Sequence, residues 1–166
     1  ERFDVIEWIK LIISWDLNAQ IILHGVSMGA ATVLMASGEE LPENVKAIIA
    51  DCGYTSEWDE FKCEANALHI PWFPVLNAAS VMSKLRDGYD FKQASALEKV
   101  KQSRIPTLFI HGSDDELVPY SMLDKLYSAA ACEKECLTVN GAGHALSSSV
   151  EPELYWNTVE NFIEKY

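Results

Sequence analysis

The amino-acid sequence predicts an α/β fold, with a mostly parallel sheet of about four strands flanked by helices. Two observations lead to this prediction. Short runs rich in apolar residues recur at residues 20–24, 45–50, 107–111 and 135–139, and segments with helical periodicity separate or follow them. The chain has 166 residues, of which 49% are apolar. We therefore expect a single domain over residues 1–166, without internal repeats or linkers.

The first part of the chain predicts a helix, a strand and a second helix. Residues 1–14 carry apolar side chains three or four positions apart, as one face of an amphipathic helix does: Phe3, Ile6, Ile9 and Ile13. The run 20–24 is continuously apolar and is predicted to be a strand buried on both faces. Residues 30–37 are good helix formers, and Gly38 is expected to end that helix.

The second part predicts three more strands in the same alternation. Residues 45–50 and 107–111 are predicted to be buried strands, and residues 135–139 a shorter one. Helical patterns at about 119–131 and 151–165 separate or follow them. This alternation is typical of a parallel sheet that helices cover on both sides.

A segment of more than fifty residues, about 53–104, lies between the second and third predicted strands, whereas a simple crossover needs only ~10–12 residues plus turns. It holds seven of the chain's 17 aromatic residues. The aromatic residues are Tyr54, Trp58, Phe61, Trp72, Phe73, Tyr89 and Phe91. They predict either an apolar, helical lid over a pocket or ordinary packing of helices on the sheet, and the composition favours neither.

The charge of the chain excludes some classes of partner. Its 13 Lys and Arg against 25 Asp and Glu give a net charge of −12, which repels nucleic acids and anionic membranes. No stretch approaches the ~20 apolar residues of a membrane helix, so we expect no membrane contact from this segment. A cytoplasmic location is the default expectation.

The cysteines indicate neither a disulfide framework nor a metal site. The chain has four cysteines, Cys52, Cys63, Cys132 and Cys136. Four are too few for a disulfide scaffold in a chain of this length, and no Cys-x-x-Cys or histidine partner stands at zinc-like spacing. We expect reduced thiols, no metal and no cofactor.

The pattern Gly25-x-Ser27-x-Gly29 lies between a predicted buried strand and a predicted helix. This context is typical of a nucleophile elbow, in which a tight turn projects a serine above the sheet edge. Side chains at positions 25 and 29 are expected to crowd the neighbouring strand and helix. The backbone amide of Met28, at the start of the helix, is expected to donate to a developing oxyanion.

A serine nucleophile needs a histidine base and a carboxylate that orients it. His144 and Asp115 follow the fourth and third predicted strands, at the sheet edge where open α/β sheets place their sites. Asp51, at the end of the second strand, is an alternative acid. The remaining histidines have no partner motif and are predicted to be structural: His24, His69 and His111.

Three motifs together resemble the α/β-hydrolase superfamily, in particular bacterial serine hydrolases with a His-Gly-x-Ser-Met-Gly elbow. The motifs are HGVSMG at 24–29, HGSDDELVP at 111–119 and GAGHA at 141–145. The resemblance implies that Asp115, and not Asp114, is the acid of the triad. It also implies four further strands upstream, including the loop with the second oxyanion donor, so we expect the chain to be the C-terminal portion of such a hydrolase.

The resemblance implies a serine hydrolase that cleaves a small-molecule carboxylic ester or thioester through an acyl-enzyme, with weak activity in this portion alone. A peptidase of the acylaminoacyl type and a non-catalytic interaction fragment are the alternatives. If the upstream strands are absent, the strand at 20–24 is an exposed edge. Because apolar edges invite pairing, we expect homo-oligomers through it.

Overall fold

The fold is a parallel four-stranded sheet in the order β1-β2-β3-β4, with helices on both faces. The computed structural model describes residues 1–166. The strands are β1 (Ile21–Val26), β2 (Val45–Asp51), β3 (Thr107–Gly112) and β4 (Lys134–Val139). The helices are α1 (Arg2–Trp15), α2 (Met28–Ala36), α3 (Glu57–Ala67), α4 (Trp72–Asp87), α5 (Ala96–Val100), α6 (Ser121–Ala129), α7 (Ser147–Val150) and α8 (Pro152–Ile163). The predicted α/β class is confirmed.

The two inner strands are buried on both faces, whereas the two outer strands are not. Every residue of β3 is buried, and so are all residues of β2 except Lys46. In β1, burial alternates, and His24 and Val26 are exposed. The prediction that the first strand is buried on both faces is therefore wrong. The physical reason is that α8 covers β1 only in part: it packs on Ile22 and contacts His24 through Tyr155 and Trp156, and both strand residues keep access to solvent.

The larger part of the core lies between the sheet and helices α1, α2, α5 and α6. Helix α2 is at its centre, because all residues from 30 to 36 are buried. Its small side chains let it pack between the sheet and the outer helices, as expected for a helix that is apolar all round. The smaller cluster, on the opposite face, is formed with α8 through Tyr155, Val159 and Phe162.

The segment between β2 and β3 contains α3, α4 and α5. Helix α5 joins the main core, while α3 and α4 pack against each other and enclose an apolar groove of about 320 Å³. Phe61, Trp72 and Phe91 line this groove, whereas Tyr54 is buried in the core. The aromatic residues are thus divided between a groove and the core, and a lid role for this segment stays a prediction. Even the longest helix, α4 with 16 residues, is too short to cross a membrane, and none of the others qualifies.

Candidate active site

Ser27 lies in a strained turn between β1 and α2. Its φ of 55° and ψ of −115° fall in a region that residues other than glycine seldom adopt. The backbone amide of Ser27 donates to the carbonyl of Asp51 on β2 at 2.8 Å. This bond ties the turn to the neighbouring strand, and it leaves the Ser27 hydroxyl half-exposed above the carboxyl edge of the sheet.

The two glycines of the turn differ in what they require. A Cβ at Gly25 would collide with the backbone of Gly29 and with the amide of Ala30, so this position excludes every side chain. A Cβ at Gly29 would meet no atom within 4 Å. The expectation that a side chain at position 29 crowds its neighbours is therefore wrong, because the close approach is made by the backbone at 29 and not by the space beside it.

A continuous hydrogen-bonded path joins Ser27 to His144 and Asp115. The Oγ of Ser27 is 2.7 Å from Nε2 of His144. The Nδ1 of His144 is 2.8 Å from Oδ2 of Asp115. A neutral imidazole fits this arrangement when Nδ1 carries the proton and donates to Asp115, and Nε2 accepts from the serine hydroxyl. The structure thus brings together the three side chains that were predicted as nucleophile, base and acid.

Asp115 is held by a network of donors in the turn after β3. Its Oδ1 accepts from the amides of Leu117 at 3.0 Å and Val118 at 2.9 Å. The Nε2 of His111 lies 3.4 Å from its Oδ2 and 2.9 Å from the carbonyl of Val118. Burial opposes ionisation of Asp115, but the hydrogen bonds from His111, His144 and Val118 outweigh it and hold its pKa below the usual range. The carboxylate is therefore charged where it meets the imidazole.

The other acids near the site have different partners. Asp51 accepts from the Oγ of Ser147 at 3.2 Å, and burial raises its pKa. Asp114 is exposed and accepts from Ser113 Oγ at 2.6 Å. Because Nδ1 of His144 bonds to Asp115, neither of these carboxylates occupies the acid position.

The remaining histidines lie outside the hydrogen-bonded path. The Nε2 of His24 is 2.9 Å from the hydroxyl of Tyr155. His69 is in the turn between α3 and α4 with a φ of 56°. His111 is fully buried behind Asp115. Its contact with the acid is a feature that the sequence analysis missed, although its position in the same motif as Asp115 was a signal.

Cys52, directly after β2, is a second feature that the sequence analysis missed. Its thiol lies close enough to the site that its Sγ, an oxygen of Asp115 and a ring nitrogen of His144 are all within 4.8 Å of one another. Burial, with the charge of Asp51, raises the pKa of this thiol to about 12. No spacing in the sequence signals this contact, since it depends on the order of strands in the sheet.

Met28 is the first residue of α2. The first amides of a helix have no partner within the helix and carry its positive end, so the Met28 amide is suited to face an oxyanion at Ser27. The Met28 side chain is 57% exposed and leaves the turn unobstructed. The oxyanion role of this amide stays a prediction.

The sequence of this chain matches a known protein family and several curated proteins. The sequence model of the prolyl oligopeptidase family matches residues 3–166. The protein YqkD of Bacillus subtilis is 31% identical over 143 residues, which cover 86% of this chain and 47% of YqkD. The α/β-hydrolase domain-containing protein WAV2 of Arabidopsis thaliana is 30% identical over 157 residues, with 90% and 48% coverage. The chain spans about half the length of these curated relatives.

Solved structures share the fold at low sequence identity. An esterase of Pyrococcus furiosus superposes with a TM-score of 0.74 at 19% identity, covering 99% of this chain and 62% of the esterase. The acylaminoacyl peptidase of Pyrococcus horikoshii has a TM-score of 0.70 at 18% identity, covering 99% and 28%. The family match extends over almost the whole chain, and the observed sheet agrees with these neighbours. The chain therefore belongs to the prolyl oligopeptidase family and has an α/β-hydrolase fold.

Proposed function

We propose that this chain carries the catalytic centre of a serine hydrolase that cleaves carboxylic esters or thioesters. The observation that supports the proposal best is the continuous path from Asp115 through His144 to Ser27, with both hydrogen bonds at 2.7–2.8 Å. A serine hydroxyl is a weak nucleophile near neutral pH, and such a path is what activates it.

In the proposed mechanism, acylation is the first half of the cycle. The Oγ of Ser27 attacks the carbonyl carbon of the substrate while its proton passes to Nε2 of His144. Asp115 keeps the imidazole oriented and stabilises the positive charge that forms on it. The amide of Met28 donates to the carbonyl oxygen as it becomes negative. His144 then returns the proton to the leaving alcohol or thiol, and the acyl group stays on Ser27.

Deacylation repeats the same steps with water. His144 takes a proton from a water molecule, the hydroxide attacks the acyl carbonyl, and the carboxylic acid leaves as Ser27 regains its proton. Every proton in this cycle is exchanged through Nε2 of His144. The cycle uses the side chains of Ser27, His144 and Asp115 together with backbone amides.

The groove between α3 and α4 supports an acyl group as the substrate's specificity element. Nine of its ten lining residues are hydrophobic, and apolar pockets suit alkyl chains. Helix α3 is near both the groove and the catalytic path: the charge of Asp115 contributes to the raised pKa of Glu60, and the next residue, Phe61, lines the groove.

A peptidase of the acylaminoacyl type is the second candidate. The family description and the likeness to the Pyrococcus horikoshii acylaminoacyl peptidase favour it. Rates on an N-acetylalanine ester and on the matching N-acetylalanine anilide separate the two functions, since both share one acyl group. Hydrolysis of the ester alone supports the esterase, and comparable rates support the peptidase.

A fluorophosphonate probe tests the serine directly. The Oγ of Ser27 forms a bond to phosphorus as fluoride leaves, so intact-mass spectrometry should find one added phosphonate group per chain. We expect no adduct in Ser27→Ala. Ser149→Ala, an exposed serine in α7, is the matched control and should label as the unchanged chain does.

The result decides between catalysis and an interaction role. Labelling that is absent from Ser27→Ala alone supports an activated nucleophile. A chain that takes up no probe, or takes it up equally in the Ser27 variant, contradicts the hydrolase proposal. The non-catalytic interaction fragment would then be the better interpretation.

A further inference from the structure

A buried thiol lies beside the catalytic path. Cys52 is fully buried, and its φ of 47° is unusual for a residue other than glycine. Its backbone amide donates to the carbonyl of Ile110 at 2.9 Å, which fixes it between β2 and β3. The thiol therefore has a defined position, although no step of the hydrolytic cycle uses it.

Cys52, Asp115 and His144 supply three different kinds of metal ligand. One ligating atom from each residue lies within 4.8 Å of the other two. Zn²⁺ binds thiolate, imidazole and carboxylate at about 2.0–2.3 Å, and in a tetrahedron such atoms are roughly 3.4–3.7 Å apart. Atoms at the 4.8 Å limit must approach by roughly 1 Å to form such corners. If Nδ1 of His144 and Oδ2 of Asp115 are ligands, they must move apart from their 2.8 Å hydrogen-bond distance, and water can take the fourth corner.

The charges of these groups match a divalent cation. A thiolate at Cys52 and the carboxylate of Asp115 together carry two negative charges, and a neutral His144 adds none. Buried charges are tolerated when they are neutralised locally. With Zn²⁺ bound, the three side chains and the ion sum to zero.

The surroundings of Asp115 favour a metal ligand. The amides of Leu117 and Val118 donate to Oδ1, so Oδ2 is the oxygen that faces His144. The Nε2 of His111 is 3.4 Å from Oδ2. Hydrogen bonds of this kind orient ligating carboxylates in metal sites.

We propose that Cys52, Asp115 and His144 form an inhibitory site for a thiophilic divalent cation, represented by Zn²⁺. Binding releases the thiol proton of Cys52 to solvent, and the thiolate sulfur bonds to the metal. If Nε2 of His144 is the ligand, its lone pair is no longer free to accept the proton of Ser27. If Nδ1 is the ligand, the single ring proton moves to Nε2, with the same result.

The binding of the cation and its effect on catalysis are separate statements. Binding requires only the three side chains and stands without any catalytic activity. Inhibition rests on the proposed function, because it supposes that His144 is the base. The experiment therefore measures binding and inhibition separately.

Binding is measured by titrating the chain with Zn²⁺ in a calorimeter and by absorption with Co²⁺, whose thiolate charge-transfer band reports a sulfur ligand. We expect one ion per chain and a charge-transfer band. In Cys52→Ala the band should vanish, and Zn²⁺ affinity should fall by more than about 100-fold. Loss of a residue that only hydrogen-bonds to a metal ligand costs up to about 100-fold, so a larger loss indicates that Cys52 is itself a ligand. Cys136→Ala removes an exposed thiol on β4 and is the matched control that should bind normally.

Ser27→Ala extends the test, because it removes turnover and leaves all three ligands in place. We expect it to bind Zn²⁺ as the unchanged chain does. Cys52→Ser keeps the size of the side chain, and it should also lose the Co²⁺ band. Circular dichroism verifies that each variant is folded, and Cys52→Ser replaces Cys52→Ala if the latter unfolds.

Inhibition is measured as the ratio of ester hydrolysis rates with and without Zn²⁺. The ratio should fall at least tenfold in the unchanged chain and in Cys136→Ala, and stay near one in the Cys52 variants. Normal probe labelling without metal binding, or a Co²⁺ band that survives in the Cys52 variants, overturns the metal site alone. Metal binding in a chain that takes up no fluorophosphonate supports the site and contradicts the proposed function.

Discussion

At the scale of single residues, backbone strain is concentrated around the Ser27 hydroxyl. Three residues other than glycine have left-handed φ values there: Ser27 at 55°, Cys52 at 47° and Ala145 at 58°. Each such conformation costs of order 1–3 kcal/mol and persists only where the surroundings impose it. Hydrogen bonds from the amides of Ser27 and Cys52 to neighbouring strands impose it here. These hydrogen bonds, and not the strain itself, hold Ser27 where its Oγ meets His144.

The choice of acid gives a prediction for single residues. Asp115→Asn should lower kcat by about 10⁴-fold, because an amide in this place favours the wrong imidazole tautomer. The measurement is steady-state hydrolysis of a model ester, with the fold verified by circular dichroism.

Asp51→Asn is the matched control, since Asp51 is also buried and follows the neighbouring strand. Its carboxylate bonds to Ser147 and not to His144, so we expect kcat to fall by less than about tenfold, as for the loss of one remote hydrogen bond. Equal losses in the two variants would contradict the assignment of Asp115.

The side chains on the hydrogen-bonded path from Ser27 to Asp115 could be predicted from the sequence, because each belongs to a motif that follows a strand. The contact of Cys52 could not, since it arises only when β2 and β3 are neighbours. The contact of His111 is local, four residues from Asp115 in the same motif, and the motif signalled it. The open space beside Gly29 could not be predicted from the motif either. A turn pattern indicates which backbone conformation is needed, but it does not indicate which atoms lie beside each residue of the turn.

At the scale of elements, α3 carries a buried acid without a hydrogen-bond partner. Glu60 is 7% exposed, and its Oε2 has no partner. Burial raises its pKa from 4.5 to about 7, and the charges of Glu64 and Asp115 add to this rise. The folded chain therefore binds the proton of Glu60 more tightly than the unfolded chain does, and stability due to this group falls as the pH rises from about 4.5 to about 7.

Glu60→Gln should remove this loss, because glutamine resembles the neutral acid and does not titrate. We expect the free energy of unfolding of the variant to match that of the unchanged chain near pH ~4, below the unfolded pKa, and to exceed it at pH ~8 by up to about 3 kcal/mol. Urea unfolding at the two pH values measures the difference.

Glu43→Gln, at an exposed position before β2, is the control and should leave both values unchanged. An equal effect of Glu60→Gln at both pH values would show that Glu60 does not titrate on folding.

The elements themselves were largely predictable. All four strands were predicted in order, because burial leaves largely apolar runs in a parallel sheet. Helices α1, α2, α6 and α8 were predicted too, whereas α3, α4 and α5 were expected only as a helical insertion. The burial of β1 was not predicted correctly, since an apolar run does not reveal how far α8 extends. The arrangement of α3 and α4 into a groove depends on aromatic contacts such as that between Phe61 and Phe91, whose ring centroids are 4.8 Å apart.

At the scale of the whole molecule, the sheet ends in β1 on one side and β4 on the other. Helix α1, which packs against α2 on the same side of the molecule's main core, exposes large apolar side chains, including Trp8 at 61% and Trp15 at 72%. Unpaired edges next to apolar surface favour association. We propose that the chain forms dimers through the β1 edge.

Sedimentation velocity at micromolar concentration should find a dimer. Its fraction should increase with salt, because added salt screens the repulsion between chains of net charge −12. Ile22→Lys places a charge on β1 and should return the chain to a monomer.

Leu137→Lys makes the same change on β4. It is the matched control, since Leu137 and Ile22 are both partly buried against the smaller core cluster. We expect this variant to remain a dimer. A monomeric unchanged chain would contradict the proposal.

The path from Ser27 to His144 joins residues that are 117 positions apart in the chain, through the ends of separate strands. The hydrogen-bonded arrangement that we propose to activate Ser27 consequently exists only when the sheet, its crossovers and the loop after β4 have all reached their native positions. The rate at which a probe labels the Ser27 hydroxyl therefore reports whether all of these elements are in their native arrangement. Any substitution that weakens the pairing of β1 with β2 or shifts β4 should abolish the reactivity of Ser27 before it unfolds the chain.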